Sequence, residues 1–109
     1  MNWLQYVWFF LAGGFLTNGI PHFVSGVMGR PFQTPFAKPP GKGLSSSTTN
    51  VVWGFLNFVV AYLFAYKLGR FDWFATDQVV ALGAGVLLCG LLSARLFGRF
   101  HGGNSPEKA

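Results

Sequence analysis

Residues 1–29, 43–66 and 78–94 contain no Asp, Glu, Lys or Arg. Each of these tracts is near the roughly 20 residues that a helix needs to cross a bilayer. A soluble chain would have to bury them, yet one of 109 residues encloses too little interior to hide 13 Phe and 4 Trp. Charged side chains make up 10% of the residues, against about a quarter in soluble domains. The pattern excludes a soluble monomer. It predicts an all-α integral membrane protein, with three transmembrane helices in a small bundle and a long Gly/Pro-rich loop between the first and second.

The first span reads from Trp3 to about Ile20, interrupted only by Gln5, Thr17 and Asn18. With no basic residue before it and no A-x-A site after it, it reads as a retained helix rather than a signal peptide. Gly19, Ile20 and Pro21 are expected to end or kink it. Phe23, Val24, Val27 and Met28 then fall on one face of a short helix lying in the interface, or of a kinked continuation. Residues 29–50 form a loop, marked by the Pro39-Pro40-Gly41-Lys42-Gly43 run and by Ser45 to Asn50. Thr49 or Asn50 is expected to cap the second span, about 51–68, and Gly69 to close it in a left-handed conformation. The third span, about 78–97, starts behind a Thr76 cap and an Asp77 suited to the positive helix start. A polar tail, 101–109, follows.

In lipid, helices associate through close backbone approach and interhelical hydrogen bonds rather than the hydrophobic effect. Ala81, Gly85, Cys89 and Ser93 recur at four-residue spacing on the third span. Gly54, Asn57, Ala61 and Ala65 line one face of the second, and Gly13 and Thr17, with Gly14 and Asn18 beside them, one face of the first. These faces predict helix packing, either within one chain or as a dimerisation seam. Asn57 must find a partner across the bundle, because an unpaired amide in hydrocarbon costs several kcal/mol.

Chemistry-bearing residues are few. No span holds an acidic residue, which argues against proton- or cation-coupled transport through a buried carboxylate. The single cysteine, Cys89, excludes a disulfide scaffold and a multi-cysteine zinc site; mid-span, with no base near it in sequence, it is a neutral thiol. His22 and His101 are a candidate ligand pair for haem or a metal. The preferred expectation is that His22 hydrogen-bonds at the interface and His101 is solvated, so no cofactor and no metal is assigned. Gly41-Lys42-Gly43 is not a phosphate loop, because glycine follows Lys42 and Phe36 stands where the first glycine belongs.

The loop, at about 22 residues, far exceeds the usual helix–helix connection of about 2–8. Pro31-Phe32 and Pro35-Phe36 repeat four residues apart with Arg30, Lys38 and Lys42 around them. Phe32 and Phe36 are candidate docking anchors, and the three cations candidate contacts to anionic lipid or an acidic surface. The alternative is a loop that folds back to keep its phenylalanines out of water. A net charge of +5 could indicate nucleic acid, but the basic residues lie between apolar tracts rather than along one stripe. Lipid head groups are the expected partner instead, together with a homo-oligomer or a larger membrane complex.

Three crossings place Lys67 and Arg70 on one side, and Arg30, Lys38, Lys42, Arg95, Arg99 and Lys108 on the other. The positive-inside rule puts the second group in the cytoplasm, giving a bacterial-type inner-membrane protein with its N-terminus outside. Trp3, Trp8, Tyr62, Tyr66 and Trp73 would contribute to the outer aromatic belt and Trp53 to the inner one. The expected role is a non-enzymatic structural or accessory subunit. The alternatives are a homo-oligomeric channel or small-solute transporter, and a histidine-ligated cofactor protein. Cysteines introduced at positions 42 and 105 are expected to resist an impermeant thiol reagent applied to the periplasmic side of intact cells. Labelling there reverses the orientation.

Overall fold

The computed structural model describes residues 2–108, apart from the side chain of Lys108. The Lys108 charge and Ala109 of the expected tail therefore lie outside the described residues. Asn2 opens helix α1 (Trp3–Val27) with a reciprocal cap: its side chain accepts from the Gln5 amide at 3.3 Å, and the Gln5 side chain accepts from the Asn2 amide at 3.2 Å.

α1 runs through Pro21 as one helix, which carries the first span beyond its expected limit near Ile20 and makes residues 21–27 a continuation of it rather than a separate interfacial helix. A proline inside a helix costs about 3 kcal/mol, but the turns beyond it are clamped against the second helix. A Cβ added at Gly26 would lie 2.7 Å from the Ser47 carbonyl oxygen, and one at Gly54 would lie 2.6 Å from the Phe23 amide. α1 stops at Gly29, whose φ is +76°. In the loop, strands β1 (Phe32–Gln33) and β2 (Leu44–Ser45) pair antiparallel, with Phe32 opposite Ser45 and Gln33 opposite Leu44.

α2 (Ser47–Tyr62) begins earlier than expected. Ser46, not Thr49 or Asn50, is its cap and accepts from the Thr49 amide at 3.1 Å. A six-residue π-helical segment, Leu63–Leu68, extends it. The left-handed residue beyond is Arg70, with φ +56°, whereas Gly69 has φ −89°. This curl brings the Phe71 amide to the Ala65 carbonyl at 2.8 Å, while a Cβ on Gly69 would collide with the Phe9 ring. α3 (Thr76–His101) starts behind Ala75, which makes no side-chain cap, so Thr76 is the first helical residue rather than the cap. Asp77, in the first turn, accepts the Tyr6 hydroxyl at 2.8 Å. Gly102, at φ +72°, closes the helix.

α1 lies between α2, antiparallel to it, and α3, parallel to it; α2 and α3 scarcely meet. The resulting bundle measures 45 × 30 × 23 Å. Three helices, Trp3–Val27, Ser47–Leu68 and Thr76–His101, are long and apolar enough to cross a membrane. At 1.5 Å per residue each reaches at least about 30 Å, the thickness of the hydrocarbon layer. Their length and hydropathy suggest membrane localisation. At the end holding the N-terminus the core is apolar. Phe9, Ala12, Ala65 and Phe71 are buried together, with Phe9 edge-on to Phe71 at 5.3 Å. Trp8 stacks on Phe64 at 5.4 Å.

α1 and α3 cross where Gly13 and Gly85 lie against each other's helices. A Cβ on Gly13 would fall on the Leu82 carbonyl, and one on Gly85 on the Phe10 carbonyl. Gly85→Leu is therefore expected to lower the thermal midpoint in detergent sharply, since overpacking costs about 1–3 kcal/mol or more. Leu87→Ala, on the exposed face of the same helix, should change it little. Equal shifts would disprove the crossing.

Candidate functional site

The opposite end of the bundle is polar and built around the loop. On α1, Thr17, Asn18 and His22 face its neighbours. Thr17 Oγ1 donates to its own helix at the Gly13 carbonyl, 3.0 Å away, and lies 3.3 Å from the Val86 carbonyl of α3. Asn18 Nδ2 donates to Asn57 Oδ1 at 2.9 Å, and Asn57 Nδ2 donates to the Trp53 carbonyl at 2.8 Å. One turn further along, His22 Nδ1 sits 2.8 Å from Asn50 Oδ1.

Asn50 is wholly buried. Its Nδ2 lies 3.2 Å from the Phe32 carbonyl, 3.2 Å from that of Ser45 and 3.0 Å from that of Ser46. A side-chain amide nitrogen donates and cannot accept. Three surrounding carbonyls therefore fix which way the amide points and direct Oδ1 at the histidine. It follows that His22 Nδ1 carries the proton, leaving Nε2 as the acceptor of the neutral ring. One buried side chain thus joins α1, both strands' ends and the start of α2.

Rings fill the space around this bond. Phe32 meets His22 edge-on at 5.4 Å and Phe97 at 4.8 Å, and stacks on His101 at 5.3 Å and 4°. His101 Nε2 is 3.1 Å from Gln33 Oε1. His101 is exposed, as expected, but it belongs to the last turn of α3 and is held there against the loop. Phe32 is buried in this stack, as the alternative of a loop folded back on the bundle expects. Phe36 remains exposed, edge-on to Trp53 at 4.8 Å. Trp53 Nε1 is buried with no partner among the described residues.

A cavity of about 440 Å³ opens beside the cluster, between the loop and the last turns of α3. His22, Gln33 and Thr34 line it, with Leu96, Phe97 and Phe100 as apolar wall, and Lys42 and Arg99 contribute the charge. No acidic side chain is among its lining residues. The Arg99 side chain is held by a bond from Nε to the Leu96 carbonyl at 3.2 Å and lies 5.2 Å over the Phe100 ring.

The remaining candidates are distributed as follows. Arg30 and Lys38 are exposed on the loop, away from the cavity lining. Gly13, Gly54 and Gly85 lie at the helix crossings, Ala61 is buried, and Ala81 packs beside the core. Cys89 Sγ is 3.9 Å from Ser93 Oγ in the same helix. The residues not singled out from sequence are Asn50 in this bonding role, Gln33 and Arg99. The seven-residue spacing of Asn50 and Asn57, and the four-residue spacing of Asn18 and His22, place each pair on one helical face. That was the available signal. The described residues hold no group of three or more His, Cys, Asp or Glu side chains that could bind a metal.

No known protein family, curated protein or solved structure matches the chain.

Because His22 and Asn50 each satisfy the other, removing either leaves a buried partner unpaired, at about 1–3 kcal/mol. His22→Phe and Asn50→Leu are each expected to lower the thermal midpoint. The double variant should lose clearly less than the sum, by about 1 kcal/mol. Strict additivity would show that the two side chains are not coupled.

Proposed function

We propose that the protein is a non-enzymatic structural or accessory subunit of an inner-membrane assembly, with its N-terminus outside and its loop and C-terminus in the cytoplasm. The observation that carries this reading is how the polar side chains of the helices are used. Gln5 Nε2 donates to the Gly69 carbonyl at 2.9 Å, and Asn18 with Asn57 and His22 with Asn50 fasten α1 to α2. Such bonds hold a scaffold together and present no polar track or nucleophile to a substrate.

The small-residue faces are engaged within the chain at Gly13, Gly54 and Gly85, whereas Ala81, Cys89 and Ser93 are only half-buried. Contact with a partner subunit, either a second copy or another membrane protein, then falls to the outer faces. On α3, Val80, Leu87, Leu91 and Leu92 are all more than half exposed. The loop end adds Arg30, Lys38 and Lys42 as contacts for anionic lipid head groups.

In mild detergent the protein is expected to run as an assembly well above its 11.9 kDa chain mass, by light scattering on a sizing column. Cysteines at positions 87 and 91, with Cys89→Ser, should cross-link it in native membranes. A monomer that forms no adduct in either position overturns the subunit role.

A further inference from the structure

We infer that the cavity between the loop and the end of α3 is a binding site for one anionic phospholipid head group bearing free hydroxyls. The inference rests on the membrane reading above but not on the subunit role.

Three observations lead to this chemistry. First, the cavity carries two cations, Lys42 and Arg99, and no acid lines it; that combination favours an anion, and a guanidinium held on a ring and a carbonyl is preorganised for phosphate oxygens. Second, the bonding of Asn50 commits His22 Nδ1 as a donor, so the Nε2 of this ring, buried to all but 2%, is an acceptor with no partner among the described residues. A bare anion gives it nothing, whereas a hydroxyl satisfies it. Gln33, 4% exposed, uses Oε1 on His101 and has its Nε2 left to donate. Third, the size and wall exceed what an inorganic ion needs. A volume of about 440 Å³ lies within the usual range for small-molecule sites, about 300–1,000 Å³, and Leu96, Phe97 and Phe100 give it an apolar side.

Depth selects the source. Arg95 and Arg99 end the third apolar helix, so the cavity lies at the level where a span meets head groups. A lipid phosphodiester reaches the Lys42 and Arg99 charges from there, its glycerol hydroxyls reach His22, and its acyl chains remain in the bilayer.

Native mass spectrometry of the full-length protein, released from detergent after titration with defined lipids, tests the site. One phosphatidylglycerol per chain should be retained, with phosphatidylcholine at least tenfold weaker. Phosphatidylmethanol, which keeps the phosphate and lacks the hydroxyls, should bind several-fold more weakly than phosphatidylglycerol. Lys42→Gln with Arg99→Gln should weaken phosphatidylglycerol tenfold or more, whereas Lys67→Gln with Arg70→Gln, at the other end of the bundle, should stay within twofold. All four positions are exposed, so an unchanged thermal midpoint establishes that the variants fold. Equal binding of phosphatidylcholine, equal losses in the two double variants, or phosphatidylmethanol as tight as phosphatidylglycerol overturns the proposal. Soluble glycerol phosphate binding with the same dependence on Lys42 and Arg99, and no lipid retained, overturns the lipid assignment. A monomeric protein that retains the lipid would overturn the subunit role and leave this site standing.

Discussion

Hydrocarbon offers no hydrogen bonds, so every polar group carried into it must be satisfied by the protein itself. That requirement organises the bundle around α1. Gln5, Thr17, Asn18 and His22 all sit on this helix, and each reaches a group on another element: the Gly69 carbonyl, the Val86 carbonyl, Asn57 and Asn50. Gln5, Asn18 and His22 turn to α2 and its extension, while Thr17, already bonded to the Gly13 carbonyl of its own helix, turns to α3. α2 and α3 therefore pack on it from separate sides and scarcely touch each other. Glycines at the crossings make the approach close enough. Gly13 and Gly85 serve α3, and Gly19 and Gly54 serve α2, where a Cβ on Gly19 would stand 2.8 Å from the Gly54 carbonyl.

The long loop follows from the same rule. A connection of this length would ordinarily be mobile, but Asn50 pins it by drawing carbonyls at Phe32 and Ser45 onto one amide. Those two residues are also opposite each other in the β1–β2 ladder, so a single side chain fixes both strands at once. Phe32 is thereby carried into the space under His22 and Phe97, and His101 closes over it. The loop becomes the floor of a cavity rather than a flexible strap.

Charge placement was sufficient to read the three long helices, because a missing charge over some 20 residues is a signal that local context does not disguise. The need of Asn57 for a partner was legible for the same reason, although the sequence could not say that Asn18 supplies it. What escaped was decided by contacts between distant segments. Pro21 looks like a terminator until Gly26 and Gly54 are seen clamped on the opposing backbone. Asn50 follows a run of Ser and Thr that reads as a cap, and Ser46 takes that role because only an inward Asn50 can reach the loop carbonyls. Gly69 looks like a left-handed stop, yet it is required by the Phe9 ring, and Arg70 adopts the left-handed turn. His101 appears stranded in a Gly-rich tail because its contacts, Phe32 and Gln33, lie some seventy residues away, as the sequence separation of 68 to Gln33 shows.

The two ends of the bundle differ because two different problems are solved there. Near the N-terminus, Phe9, Ala12, Ala65 and Phe71 close an apolar core with aromatic edges, which needs nothing further. At the loop end α1 brings a histidine and α3 brings arginines, and groups of this kind cannot be left dry. The network uses one nitrogen of His22 and one end of the Gln33 amide, and the two remaining polar atoms border a space ringed by Lys42 and Arg99. A roomy space bordered by such polar atoms, even with a mostly apolar wall, holds water or a ligand rather than vacuum. Its charge and its position at the end of an apolar helix make it the part of the molecule equipped for recognition, whereas the polar groups within the helices serve to hold that part in place.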